Sequence, residues 1–226
     1  MKTAVCLATA LKGHVGRPAA EKSTTAKLGF PGHCPDHPVL TTFLVDDSGS
    51  VVGPAGNDPL SNRYAEIAQA IRAVRRWCLC GHERVSVIHF DTPTSGCLSP
   101  TPLRQLRGPR LARSLRTPSD ARGASTALPA LVALTDGLPG EGSTELVTVI
   151  LSDWELFDTP IELARTLASL PGHLVAVGLG GEERPDVLPP GAQFIPITTA
   201  SRPGSVAHAV FGTLKIHRRP LMVHSA

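Results

Sequence analysis

Aromatic side chains are scarce in this sequence: six Phe, two Trp and one Tyr make up 4% of it. Ring stacking therefore cannot organise the core, which must rest on Val, Leu, Ile and Ala. No run approaches the ~20 apolar residues that a membrane-spanning helix needs. The opening Met1 to Leu11 carries one basic residue, Lys2, and a short apolar stretch, followed by Lys12 without a clear cleavage site. That is too little for a secretory signal, so a cytoplasmic location is expected. The five cysteines (Cys6, Cys34, Cys78, Cys80, Cys97) are odd in number and irregularly spaced. This argues against a disulfide-stapled scaffold and for a reduced compartment. Two small groups have spacings that can fit a tetrahedral zinc site: Cys34-Pro35-Asp36-His37, and Cys78-Leu79-Cys80 with His82. Neither contains a C-x2-C pair, and free thiols, buried or half-buried, are the simpler reading. There is no P-loop, and Gly178-Leu179-Gly180-Gly181 lacks the strand-turn-helix context of a dinucleotide site.

What is present suits one globular unit. The 226 residues are 42% hydrophobic and 18% charged, enough for a single well-filled core and short for two domains. The net charge of +3 is too mild to name a partner. Twenty-one glycines and 21 prolines predict many turns. Residues 1–37 show no sustained period and read as an N-terminal extension to a domain over 38–226. From Val39 the pattern alternates. Apolar, β-branched runs at 39–45, 84–90, 146–151, 174–179 and 194–197 have the character of buried strands. Between them, helices are expected over 61–77, 125–135, 161–170 and 205–214. The order implies a mostly parallel sheet covered on both faces by helices. Ligands of such sheets bind beyond the carboxyl ends of the strands, where strand order reverses.

Three polar clusters fall at such positions. Asp46-Asp47-Ser48-Gly49-Ser50 follows the first strand, Gly123-Ala124-Ser125-Thr126 opens an expected helix, and Ser152-Asp153 follows the strand ending at Leu151. Each alone is also what a turn or helix cap looks like, and Ser125 could simply cap its helix. Together they offer hydroxyls and carboxylates suited to a hard cation that keeps part of its water shell.

Asp46-x-Ser48-x-Ser50 after an apolar strand resembles the D-x-S-x-S signature of the von Willebrand factor A (vWA) family, and Ile150-Leu151-Ser152-Asp153 matches that family's later aspartate segment. The resemblance spans roughly residues 38–216. It implies a three-layer, Rossmann-like α/β fold with a metal ion-dependent adhesion site (MIDAS). Ser48, Ser50 and either Ser125 or Thr126 would contact Mg2+ (or Mn2+ or Ca2+), with Asp46 and Asp153 acting directly or through water. Register with Pro129-Ala130-Leu131 favours Ser125 and residue type favours Thr126. Trp154 stands where the family often has glycine, and could narrow the site or supply a contact surface.

The resemblance implies a non-enzymatic module whose protein partner offers an Asp or Glu to the cation. Bacterial intracellular relatives often belong to multiprotein assemblies, sometimes with AAA-type ATPases. Two other readings stay open. A magnesium-dependent hydrolase or phosphotransferase would use Asp46 as nucleophile and Asp47 as acid or base; the absence of any lysine between Lys27 and Lys215 weighs against it. A scaffold could instead bind acidic partners or nucleic acid through Arg104, Arg107, Arg110, Arg113, Arg116 and Arg122, where Asp120 is the only acidic residue. No aromatics interleave with these arginines, which disfavours single-strand stacking, and no membrane partner is expected.

Overall fold

The computed structural model describes residues 26–53, 56, 62–90, 92, 95–138 and 144–220. Six strands form one sheet: β1 (Val39–Val45), β2 (Glu83–His89), β3 (Leu98–Pro102), β4 (Glu145–Ser152), β5 (His173–Leu179) and β6 (Gln193–Ile197). Their order is β3-β2-β1-β4-β5-β6, parallel throughout except for the antiparallel β2–β3 pair. All seven residues of β1 are buried, as a central strand covered on both faces requires. Successive side chains go to opposite faces. Val39, Phe43 and Val45 join one apolar cluster, where α2 (Arg63–Arg75) and α6 (Ser205–Thr213) pack. Leu44, Ile150 and Ala176 join the other, beneath α4 (Leu128–Asp136) and α5 (Pro160–Ser169). Each fully buried Val, Leu, Ile or Phe side chain in these clusters contributes roughly 1.5–3 kcal/mol.

Strand order runs outward in opposite directions from the β1/β4 pair, which makes the carboxyl ends of those two strands the switch point of the sheet. Val45 lies opposite Leu151, and Asp46 N–H donates to the Leu151 carbonyl at 3.0 Å. The Asp46 and Ser152 loops therefore leave the sheet side by side.

Between the strand at 84–90 and Ser125, where the sequence suggests no element, the chain forms two further elements. β3 takes Pro100 and Pro102 because it is an edge strand with β2 on one side only. After a 3-10 turn (Leu103–Gln105), α3 (Gly108–Ser114) begins with Pro109 in its first turn, where a missing N–H costs nothing. A four-residue α1 (Gly49–Val52) follows the first loop.

Ser125 does not open a helix. α4 begins three residues later, at Leu128. Its amino end is capped from a distance: the Asp158 carboxylate accepts from Ala127 N–H at 2.6 Å and Leu128 N–H at 3.2 Å. Gly123, at φ +72°, opens a loop over 123–127 instead.

Of the expected extension, residues 1–25 with Cys6 lie outside the described residues, as does Ser61, the expected start of the helix over 61–77. Residues 26–37 lie against the domain. His33 forms a two-way backbone bridge with Arg219, and Leu28 and Cys34 pack on the first apolar cluster. Among the described residues no helix is long and apolar enough to cross a membrane.

Candidate metal centre

The three clusters converge on the switch point. Asp46 is fully buried, and its Oδ1 accepts from Ser48 N–H at 2.8 Å while Oδ2 accepts from the Ser152 hydroxyl at 2.6 Å. Ser48 and Ser50 present their hydroxyl oxygens 2.9 Å apart. The middle loop is held at both sides: Phe157 N–H donates to the Ser125 carbonyl at 2.7 Å, and a Cβ on Gly123 would lie 3.9 Å from Asp47 O and Gly49 N. Ser125 is buried and Thr126 half-buried. Asp153, half-buried, acts on Asp46 electrostatically.

Asp46 and Asp47 meet opposite surroundings. Asp47, also buried, accepts at Oδ1 from Arg63 Nη2 (3.0 Å) and the Tyr64 hydroxyl, and its Oδ2 lies 2.6 Å from His89 Nδ1. Arg63 Nη2 also reaches the Asp46 carbonyl at 3.1 Å, and His89 Nε2 lies 3.0 Å from the Ser114 carbonyl. Tyr64 is driven toward its neutral, donating form, first by burial and then by the Asp47 charge. Asp46 has no such cationic partner among the described residues. Burial pushes its carboxyl above the ordinary range, the Ser152 and Ser48 hydrogen bonds oppose that, and the nearby Asp153 charge adds to it. A buried carboxylate facing a second carboxylate, beside two converging hydroxyls, is a donor set that fits a hard divalent cation.

Trp154 has φ +64°, a left-handed conformation that explains why glycine suits this position. Its N–H donates to Ser152 Oγ at 2.9 Å, and its ring packs against the α4/α5 cluster. The aromatic side chain that stands out in this loop is Phe157, 86% exposed, with Ile161 nearby in sequence at 73%.

The arginines are all exposed but do not form one patch at this edge. The Arg104 guanidinium lies against Gly81, next to the amino end of β2. Arg107 precedes α3, and Arg110 and Arg113 lie on it. Arg116 lines a cleft with Arg63, Tyr64 and Arg72, and its neighbour Thr117 reaches Asp47 Oδ1 at 3.5 Å. Arg122 precedes the Gly123 loop.

Arg63, Tyr64, His89 and Asp158 build this site without having been singled out from the sequence, and Ser152, expected only as part of a polar cluster, is a hydrogen-bond partner of Asp46. Position was the available signal for His89, which ends the strand beside β1 as Ser152 does on the other side.

Solved structures share the arrangement of strands and helices. Proximal thread matrix protein 1 from the mussel byssus superposes with a TM-score of 0.55 at 18% identity, over 82% of this chain and 47% of that one. A further structure of that protein has a zinc-occupied MIDAS motif (TM-score 0.52, 11% identity, 80% and 48% covered). An aerotolerance-related membrane protein from Bacteroides fragilis gives 0.52 at 12% identity, over 78% and 98%. The SpRpn10 VWA domain gives 0.50 at 10% identity, over 76% and 93%.

The chain has a vWA fold.

No protein-family model and no curated protein matches the sequence. Within the vWA fold, the expected three-layer, Rossmann-like arrangement is the one observed. Asp46, Ser48, Ser125, Thr126 and Asp153 lie on the loops that meet at the β1/β4 switch point, and Ser50 lies in the short α1 that continues the first of them.

Proposed function

We propose that this chain is a non-enzymatic binding module that holds a divalent cation at the β1/β4 switch point and engages an acidic group of a partner protein through it. The observation that carries this reading is the contrast between the two adjacent aspartates. Asp47 is paired with Arg63 and hydrogen-bonded to Tyr64 and His89, whereas buried Asp46 has Asp153 nearby and lies beside the Ser48 and Ser50 hydroxyls. Ser48, Ser50 and Ser125 or Thr126 would hold the cation, with Asp46 and Asp153 placed to bind it directly or through water. When bound, the cation supplies a positive centre that attracts an outside carboxylate, because its hydroxyl ligands leave its charge largely intact. The zinc-occupied MIDAS motif of the mussel protein supports a divalent metal, and magnesium is our assignment from the oxygen-only donor set. Phe157, Ile161 and the 41%-exposed Val52 offer apolar contact beside the same loops, with Trp154 shaping the loop from within.

The magnesium hydrolase reading needs an acid or base beside Asp46. Asp47 is the nearest candidate, and its carboxylate is engaged by Arg63, Tyr64 and His89, which favours the binding role. The spread of the arginines from Arg104 near Gly81 to Arg116 by α2 likewise favours a metal-centred contact over one basic stripe. An intracellular assembly, with an AAA-type ATPase as one class of partner, fits this reading.

The test is calorimetric titration of magnesium and manganese into wild type and a Ser48→Ala, Ser50→Ala variant. Saturable binding that the variant loses is expected. Equal binding by a folded variant would remove these serines from the site. Capture of an acidic partner should vanish with chelator; persistence in chelator with loss in high salt would transfer the role to the arginines.

A further inference from the structure

A second group of ligands assembles on the opposite side of the sheet, near the strands' amino ends. Cys34 comes from the segment before β1, Cys78 and Cys80 from the turn between α2 and β2, and Glu83 from the first residue of β2. Their three thiol sulfurs and a carboxylate oxygen all lie within 4.8 Å of one another. Zinc–thiolate bonds of about 2.3 Å place neighbouring ligands of a tetrahedron about 3.8 Å apart, so this spacing needs only a small contraction. Cys80 Sγ is already 3.9 Å from Glu83 Oε2.

The surroundings are built for charge. Arg218 is buried and grips Glu83 with two bonds, Nε to Oε1 at 2.7 Å and Nη2 to Oε2 at 2.5 Å, while its Nη1 donates to the Gly32 carbonyl at 2.8 Å. A carboxylate oxygen has lone pairs for more than one partner, so Glu83 can keep Arg218 while turning Oε2 to a metal. Such a carboxylate held by a neighbour is the outer support that orients metal ligands. Arg218 also offsets part of the negative charge that three thiolates would bring. Gly32, at φ +89°, lets the Cys34 segment lie close to the Arg218–Arg219 backbone: a Cβ there would stand 2.5 Å from the Arg219 carbonyl oxygen. A groove lined by Phe30, His33, Trp77 and Leu79 opens onto Cys34 and Cys80, which provides a route in for an ion.

We propose that Cys34, Cys78, Cys80 and Glu83 form a thiolate-rich site for a zinc-class cation, separate from the switch-point site. Binding forms three metal–sulfur bonds and one metal–oxygen bond and sends about three thiol protons to solvent. Soft sulfur ligands select zinc over magnesium, the reverse of the oxygen site. The bound ion would tie the segment before β1, the α2–β2 corner and the chain after α6 into one unit. Neither of the groups suggested by local spacing is used intact. His37 pairs with Glu145 at 2.8 Å, and His82 Nδ1 lies 3.1 Å from the Pro35 carbonyl.

The experiment uses the full chain with Cys6→Ser and Cys97→Ser, so that only the clustered thiols remain. After purification in reductant and removal of free metal, cobalt(II) is titrated in. A saturable near-ultraviolet sulfur-to-cobalt charge-transfer band with tetrahedral visible bands is expected, bleached by zinc and unaffected by millimolar magnesium. Zinc should slow modification of the clustered thiols at least tenfold, and plasma mass spectrometry should find about one zinc per chain. Ser48→Ala, Ser50→Ala should leave the band unchanged, and Cys34→Ser, Cys80→Ser should remove it. Absence of the band in this folded, reduced parent would overturn the proposal without reliance on a ligand variant. Thiols recovered as a disulfide that zinc cannot prevent would overturn it also.

Discussion

The Asp46 carboxylate ends β1 with the Ser48 N–H and the Ser152 hydroxyl as donors and with Asp153 close enough to repel it. Its folded pKa is raised, so in metal-free protein its contribution to stability is fully present below the ordinary carboxylate pKa. That contribution is lost as pH rises through the folded value. Asp46→Asn removes the penalty. Urea denaturation in chelator should therefore show the variant gaining on wild type as pH rises through that range, then holding its lead to neutrality. Magnesium should reverse the order at neutral pH, because only wild type retains the carboxylate. Parallel pH curves would show that Asp46 is not the strained group. Asp47→Ala should act in the opposite sense, since Arg63 (4% exposed) and His89 (fully buried) lose their carboxylate. Breaking a buried pair of this kind costs about 3–5 kcal/mol, seen as a lower urea midpoint at unchanged slope. The aspartates, serines and their strand-end placement could be read from the sequence. Their opposite electrostatics could not, because Arg63, Tyr64 and His89 reach Asp47 only once α2 and β2 have packed beside β1.

At the scale of elements, the loop carrying Ser125 and Thr126 depends on a cap that crosses the fold. Asp158 supplies the acceptor for Ala127 and Leu128, while Pro129 has no N–H to satisfy. Asp158→Ala should cost about 0.5–2 kcal/mol in chemical denaturation, the usual range for a lost cap. It should also weaken magnesium binding several-fold in calorimetry, because the loop between Gly123 and α4 loses an anchor. A stability loss with unchanged affinity would mean that the Phe157–Ser125 bond alone holds the loop. The same cap explains why the helix start could be misread by three residues: the sequence supplies a local Ser125, whereas the fold uses a residue 30 positions away. β1, β4 and β5 were legible because buried parallel strands are written as unbroken apolar runs. β3 and α3 were not. An edge strand admits Pro100 and Pro102, and a seven-residue helix opening on Gly108-Pro109 shows too little periodicity to detect.

For the whole molecule, two proposed sites of opposite chemical hardness lie at opposite ends of the central strands, and each ties together segments far apart in sequence. Oxygen ligands join the loops after β1 and β4, and sulfur ligands join the segment before β1 to the α2–β2 corner. The cysteine group stayed hidden in the sequence because Cys34 and Cys78 are 44 positions apart and become neighbours only when residues 26–37 fold back on the domain. Chelator followed by selective reloading should separate the two contributions. An ion at a hundred times its dissociation constant stabilises the native state by about 2.7 kcal/mol. For a chain of this size that corresponds to a melting-point rise on the order of 5–11 °C. Magnesium should restore such a rise in wild type and in Cys34→Ser, Cys80→Ser, but not in Ser48→Ala, Ser50→Ala. At substoichiometric zinc the pattern should invert, because three thiolates outcompete hydroxyl and carboxylate oxygens for a soft ion. Additive shifts in doubly loaded protein would show that the sites act independently across the sheet; a larger combined shift would show that ordering one end of β1 favours loading at the other.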